Sequence, residues 1–137
     1  MKLPLVYLVA LPVILCCSAN QTGADPSPGK IVFTGDEKTD WDQVVALENQ
    51  AKAIVKSDGC SSADQCRTAP VGSRACGGPR YYLVYCAKTT DSVALLDKLK
   101  EVAAAEQEYN KRYQIASTCE FRMPPKVALV GSSCQAQ

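Results

Sequence analysis

VGSRACGGPRYYLVYC, residues 71–86, holds two cysteines, three glycines, two arginines and a tyrosine-rich run. Its second half, RYYLVY, alternates so that Tyr81, Leu83 and Tyr85 face one way and Tyr82, Val84 and Cys86 the other. That period of two, with aromatic and β-branched side chains, predicts a strand from Arg80 to Ala87. Because both faces are apolar, the strand is expected to be central and covered. The preceding Cys76-Gly77-Gly78-Pro79 reads first as a tight turn. Glycine supplies positive φ, proline fixes the exit, and Cys76 staples the corner. Upstream, Arg67 to Ala75 reads as an interrupted strand, with Pro70 and Gly72 suited to an edge.

Working outward, residues 42–57 carry Val44, Leu47, Ala51, Ile54 and Val55 at helical spacing. Asp40 or Asp42 is expected to cap this first helix, and Asp58-Gly59 to end it. Thr89-Thr90-Asp91 opens a longer helix, SVALLDKLKEVAAAEQEYNKRYQ. Its apolar positions are Val93, Leu96, Leu99, Val102, Ala103 and Tyr109, with Tyr113 one turn on. Asp97, Lys98, Lys100 and Glu101 occupy the solvated side. Beyond it, Cys119–Arg122 and Lys126–Val130 read as two short strands separated by Pro124-Pro125. The order is helix, strand pair, helix, strand pair. That predicts an α+β domain with a small, mostly antiparallel sheet packed on two helices and stapled by disulfides.

The first residues, MKLPLVYLVALPVILCCSA, place Lys2 before a thirteen-residue apolar run, Leu3–Leu15. Such a run suits an export signal and is short of the ~20 residues that span a bilayer. Cleavage after Ala19 gives a signal peptide of 1–19. The alternative is a lipoprotein signal ending at Cys16, with Cys17 acylated. Residues 20–38, rich in Pro, Gly and polar side chains, are expected to form a flexible tether. The single domain is expected over 39–137.

Six cysteines fall in that domain: Cys60, Cys66, Cys76, Cys86, Cys119 and Cys134. A chain of about a hundred residues buries only about two-thirds of its unfolded surface, so cross-links matter. In an exported protein such cysteines read as a disulfide framework, each bridge contributing about 2–4 kcal/mol. Fifteen connectivities are open. No C-x-x-C occurs in the domain, which disfavours metal and redox use.

Histidine is absent from the chain. That removes Ser-His-Asp and Cys-His catalysis and histidine-ligated zinc. Its acids read as solvated helix faces, Glu101 with Glu108 and Asp91 with Asp97 among them, so no catalytic residue is assigned. Fifteen basic side chains stand against fourteen acidic ones; nucleic-acid binding, which needs a basic surface, is not expected. One stretch breaks the balance: Gln65–Thr90 holds Arg67, Arg74, Arg80 and Lys88 and no acid. Within it, the Gly77-Gly78 amides could form an anion-binding nest flanked by Arg74 and Arg80. Alternatively, Arg80 on a braced loop could enter a protease's specificity pocket, making the Cys76–Arg80 loop an inhibitor's.

VGSRACGGPRYYLVY, the Tyr109-Asn110 pair, Ser117-Thr118-Cys119 and Pro124-Pro125 together resemble a family of small exported bacterial proteins. These are often labelled hypothetical proteins or lipoproteins, and their core reads GSKxCGGPxxYLxYS. The likeness covers about residues 60–134. This chain departs from it with Arg74 in place of Lys and Cys86 in place of Ser, so Cys86 either finds a partner that the family pattern does not supply or stays free. The resemblance implies a bacterial envelope location and carries over no activity. Together these readings give an exported, secreted or envelope-bound, non-enzymatic binding module, expected to be a monomer without cofactor or metal. Its partner is an unknown protein or envelope ligand, and it meets a membrane only through a lipid anchor.

Overall fold

A computed structural model describes residues 31–137. Both signal readings, Cys17, and the tether as far as residue 30 lie outside the described residues. The end of the expected tether does not hang free. Ile31 packs on the apolar core, and the Val32 carbonyl accepts from Gln43 Nε2 at 3.1 Å.

The first helix, α1, runs Glu37–Ile54, one turn earlier than its apolar periodicity indicated. Asp36 is the cap, accepting from the Thr39 N–H at 2.7 Å. Asp40 is instead buried, where it accepts from the Thr34 N–H, the Thr34 hydroxyl and the Tyr113 hydroxyl. The helix stops at Ile54, before Gly59, because the next carbonyls pair elsewhere. Lys56 O accepts from the Cys86 N–H and Ser57 O from the Cys134 N–H. Lys56–Cys60 therefore serves as an extended strap joining the two halves of the molecule.

Strands β1 (Cys66–Val71) and β2 (Tyr81–Cys86) pair antiparallel, Cys66 opposite Cys86 and Val71 opposite Tyr81. Helix α2 spans Ser92–Arg112, and of the three residues expected to open it Asp91 is the cap. Strands β3 (Val127–Val130) and β4 (Ser133–Ala136) form a second antiparallel ribbon. The fold is thus α+β, with three disulfides. Its strands make two ribbons rather than one sheet. Strand β2 therefore has a single neighbour and is not central. Each of its faces is nonetheless covered, by a different core: Tyr81, Leu83 and Tyr85 meet the helices, while Val84 and Cys86 meet the other cysteines.

Two further expectations change. Cys119–Arg122 forms no strand: all four residues are exposed, and their backbone joins neither ribbon. The second ribbon uses Ser133–Ala136 in their place. On α2 the core stripe is Leu95, Leu99, Val102 and Tyr109, whereas Val93 is 72% exposed and Leu96 39%.

The first core joins Leu47, Ala51, Val71, Tyr85, Leu99 and Val102 between helices and β1–β2. The second consists of Cys60, Cys66, Cys86 and Cys134 in two adjacent disulfides, Cys60–Cys86 and Cys66–Cys134. Cys86 thus finds its partner in Cys60. The third bridge, Cys76–Cys119, ties the β1–β2 hairpin tip to the segment after α2.

Candidate functional site

The β1–β2 hairpin carries the four residues singled out for binding, and the fold sends them in different directions. Gly77 (φ +97°) and Gly78 (φ +75°) make the tip, a conformation that disfavours any side chain. The Gly77 N–H donates to the Arg74 carbonyl, and the Arg74 N–H donates to the Gly78 carbonyl, both at 2.9 Å. The Gly77 amide is spent within the turn, so the tip does not display two free donors to an anion.

Arg80 points inward. Its guanidinium pairs with Glu48 on α1 and lies 2.8 Å from Glu106 on α2, bracing both helices against the hairpin. Glu48 and Glu106 are 7% and 4% exposed at their side chains. The Glu106 carboxylate also accepts from the Ser73 N–H at 2.9 Å. Glu48 accepts in addition from the Tyr81 hydroxyl at 2.5 Å and pairs with Lys52 at 2.6 Å. Burial opposes the charge on Glu48, but Lys52, Tyr81 and Arg80 outweigh it and hold the carboxyl at about 2. The same contact with Glu48 raises Lys52, and burial next to Glu48 raises Tyr81. Gly72 makes room for this centre. At φ +72°, a Cβ there would lie 2.1 Å from Glu106 Oε2 and 2.7 Å from Arg80 Nε.

The expectation that the helix acids lie on solvated faces fails for Glu48 and Glu106, which are buried. The signal was present in the spacing. Glu48 lies four residues after Val44 and three before Ala51, and Glu106 stands likewise between Val102 and Tyr109. Each helix stripe therefore carries one carboxylate. What the sequence did not reveal was Arg80 as their shared counter-ion.

Arg74 goes the other way. Its guanidinium donates to the Glu120 carbonyl, and its Nε is buried without a partner. It borders a cleft of about 400 Å³ walled by Trp41, Tyr109 and Ile115, with Asn110 and Ser117 at the rim. Trp41 and Tyr109 meet in a tilted pair, 5.0 Å between ring centres and 50° between planes, and Arg80 lies 5.5 Å above the Trp41 ring. Across the hairpin tip, a second hollow of about 330 Å³ separates Gly77-Gly78-Pro79 and Tyr82 from the Cys119–Arg122 segment.

Among the described residues, the side chains grouped closely enough to ligate a metal are Cys60, Cys86 and Cys134, their sulfurs within 4.8 Å of one another. All three are in disulfides. No described helix is long and apolar enough to cross a membrane.

No family model, curated protein or solved structure matches the chain. The reading of function therefore rests on the geometry of this site.

Proposed function

We propose that this protein is an exported, non-enzymatic binding domain of the bacterial envelope or its surroundings. The observation that carries the reading is the way its reactive groups are spent. All six domain cysteines are in disulfides, which belong to an oxidising compartment. The buried carboxylates Glu48 and Glu106 share Arg80 as counter-ion, and the Glu48 carboxyl, held at about 2, is the opposite of the raised-pKa acid that proton transfer near neutral pH requires. With no histidine in the chain, no general base of the usual kind stands beside them. What remains is a rigid surface, and rigidity favours recognition by lowering the entropy that binding costs. The apolar leader and the family resemblance support export, whether by cleavage after Ala19 or by acylation of Cys17.

Expression of the full chain in a bacterial host, followed by fractionation and intact-mass measurement, tests the reading. The expected product lacks residues 1–19, or carries a lipid on Cys17, and contains no free thiol. Full-length reduced chain in the cytoplasm would contradict it.

The inhibitor reading does not suit the Cys76–Arg80 loop, because the Arg80 side chain is held in its ion pairs and is not available to a protease pocket. The neighbouring segment presents a different opportunity.

A further inference from the structure

Residues 115–126 belong to no helix or strand, yet the scaffold fastens them. Cys119 is bonded to Cys76. Ser117 Oγ accepts from the Cys76 N–H at 2.9 Å. The Arg74 guanidinium donates to the Glu120 carbonyl. Two residues on, the Tyr82 hydroxyl donates to the Arg122 carbonyl at 3.2 Å. Phe121 stands between these two held carbonyls and is 86% exposed, with Met123 beyond it at 73%. The sequence supplies the arrangement simply. Arg74 and Tyr82 flank the hairpin tip that Cys76 bonds to Cys119, and Pro124-Pro125 stiffens the exit.

An aromatic side chain held out in water on a fastened backbone suits insertion into a partner's apolar pocket. Preordering of this kind removes much of the conformational cost of association, and protease–inhibitor complexes are among those in which the interface backbone moves little on binding. We propose that Cys119–Pro125 is the reactive strip of a serine-protease inhibitor, with Phe121 entering the apolar specificity pocket of a chymotrypsin-like enzyme. The proposal rests on the binding-domain reading and gives it a partner. The two clamps select Phe121 over Arg122. They fix the carbonyls on either side of the Phe121 residue, and the Arg122 side chain turns back toward Glu120 at 3.7 Å.

The fastening also explains why the strip would inhibit rather than be consumed. Hydrolysis adds water across the Phe121–Arg122 amide and leaves a carboxylate on Phe121 and an ammonium on Arg122. Turnover then requires the new ends to separate. Upstream, Cys119 stays bonded to Cys76. Downstream, Pro124-Pro125 leads into β3, whose partner β4 is bonded through Cys134 to Cys66. The ends remain side by side, so the amide can re-form on the enzyme and release is slow.

The test titrates chymotrypsin and trypsin with the intact oxidised protein, following a chromogenic peptide substrate while mass spectrometry follows cleavage of the inhibitor. Inhibition of chymotrypsin at near one-to-one stoichiometry is expected. Phe121→Ala should weaken it at least about 30-fold, the loss typical of a central anchor. Phe121→Lys should transfer inhibition to trypsin, since a basic side chain then occupies the anchor position. Tyr82→Phe should retain the target yet speed cleavage at Phe121–Arg122, because one carbonyl clamp is gone. A circular-dichroism spectrum and urea midpoint confirm that each variant is folded. Repeated cleavage after Phe121 with the enzyme unslowed would overturn the proposal, as would inhibition that survives Phe121→Ala. Absence of any inhibition would overturn the protease assignment alone, since the export experiment judges the binding-domain reading separately.

Discussion

Two arginines six residues apart divide the molecule into regions of opposite character. Arg80 sits where α1, α2 and the hairpin converge, and both carboxylates that face it are buried. Arg74 reaches outward, and what it holds is a backbone carbonyl in an exposed strip. The same side chain thus acts once as a buried counter-ion and once as a clamp. The difference follows from the partners that α1 and α2 bring. Glu48 and Glu106 sit on apolar helix stripes and need a cation, whereas the Arg74 guanidinium takes the backbone carbonyl of Glu120, whose own carboxylate lies 3.7 Å from Arg122. Stability is concentrated around Arg80, and the recognition proposed above around the segment that Arg74 helps to fix.

Arg80→Ala breaks this division most severely. It leaves two buried carboxylates without their shared cation, and loss of one partner of a buried pair costs about 3–5 kcal/mol. The urea midpoint should fall accordingly, with the m-value little changed. Phe121→Ala, on the exposed side, should move stability by no more than about 0.5 kcal/mol. Comparable losses from the two substitutions would erase the distinction.

pH sharpens the same contrast with a smaller effect. The Glu48 carboxyl is held at about 2 against an ordinary 4.5. Asp40 is likewise held at about 2 against 3.8, because donors from Thr34, Tyr113 and Gly35 outweigh its burial. Both are depressed, so between roughly pH 4.5 and 2 the unfolded chain binds more protons than the folded one. The stability they contribute is present above that window and is lost as pH falls through it. At the alkaline end, burial and the hydrogen bond to Asp40 push Tyr113 up to about 12 from 10.0. The unfolded chain then ionises first, and stability declines as pH rises from 10 to 12. Urea titrations across pH should show both flanks, and Glu48→Gln should flatten the acid one. An acid flank unchanged by Glu48→Gln would mean that the ionic centre does not govern it.

Much of the frame was legible from the chain alone. Alternation in RYYLVY identified β2 and assigned its two faces correctly, and Asp91 marked the start of α2. Local signals failed where distant contacts decide the outcome. Gly59 looked like a helix terminus, but the Lys56 and Ser57 carbonyls are claimed by strands far along the chain. On α2, Leu95 and Leu96 are equivalent as letters; only the packing direction of α1 buries the first. Cys119–Arg122 was expected as a strand but joins neither ribbon, whereas Ser133–Ala136, with little β-propensity, pairs with β3 and is held through Cys134 to Cys66. Arg80, expected at a binding rim, is instead held in ion pairs with Glu48 and Glu106. Its role could not be assigned without knowing that two helix-stripe carboxylates, 32 and 26 residues away in sequence, converge on it.

Peptide mapping of the oxidised protein tests the division most directly, since the strip depends on Cys76 being bonded to Cys119. Trypsin cuts after Arg74, Arg80, Arg112 and Arg122, releasing ACGGPR and YQIASTCEFR, the latter with Arg112 at its front where the cut falls after Lys111 instead. The account predicts these two peptides as an isolated disulfide-linked pair, separate from a complex joining the peptides of Cys60, Cys66, Cys86 and Cys134. ACGGPR linked instead to the peptide carrying Cys86 would close the hairpin on itself, unfasten the strip, and contradict it.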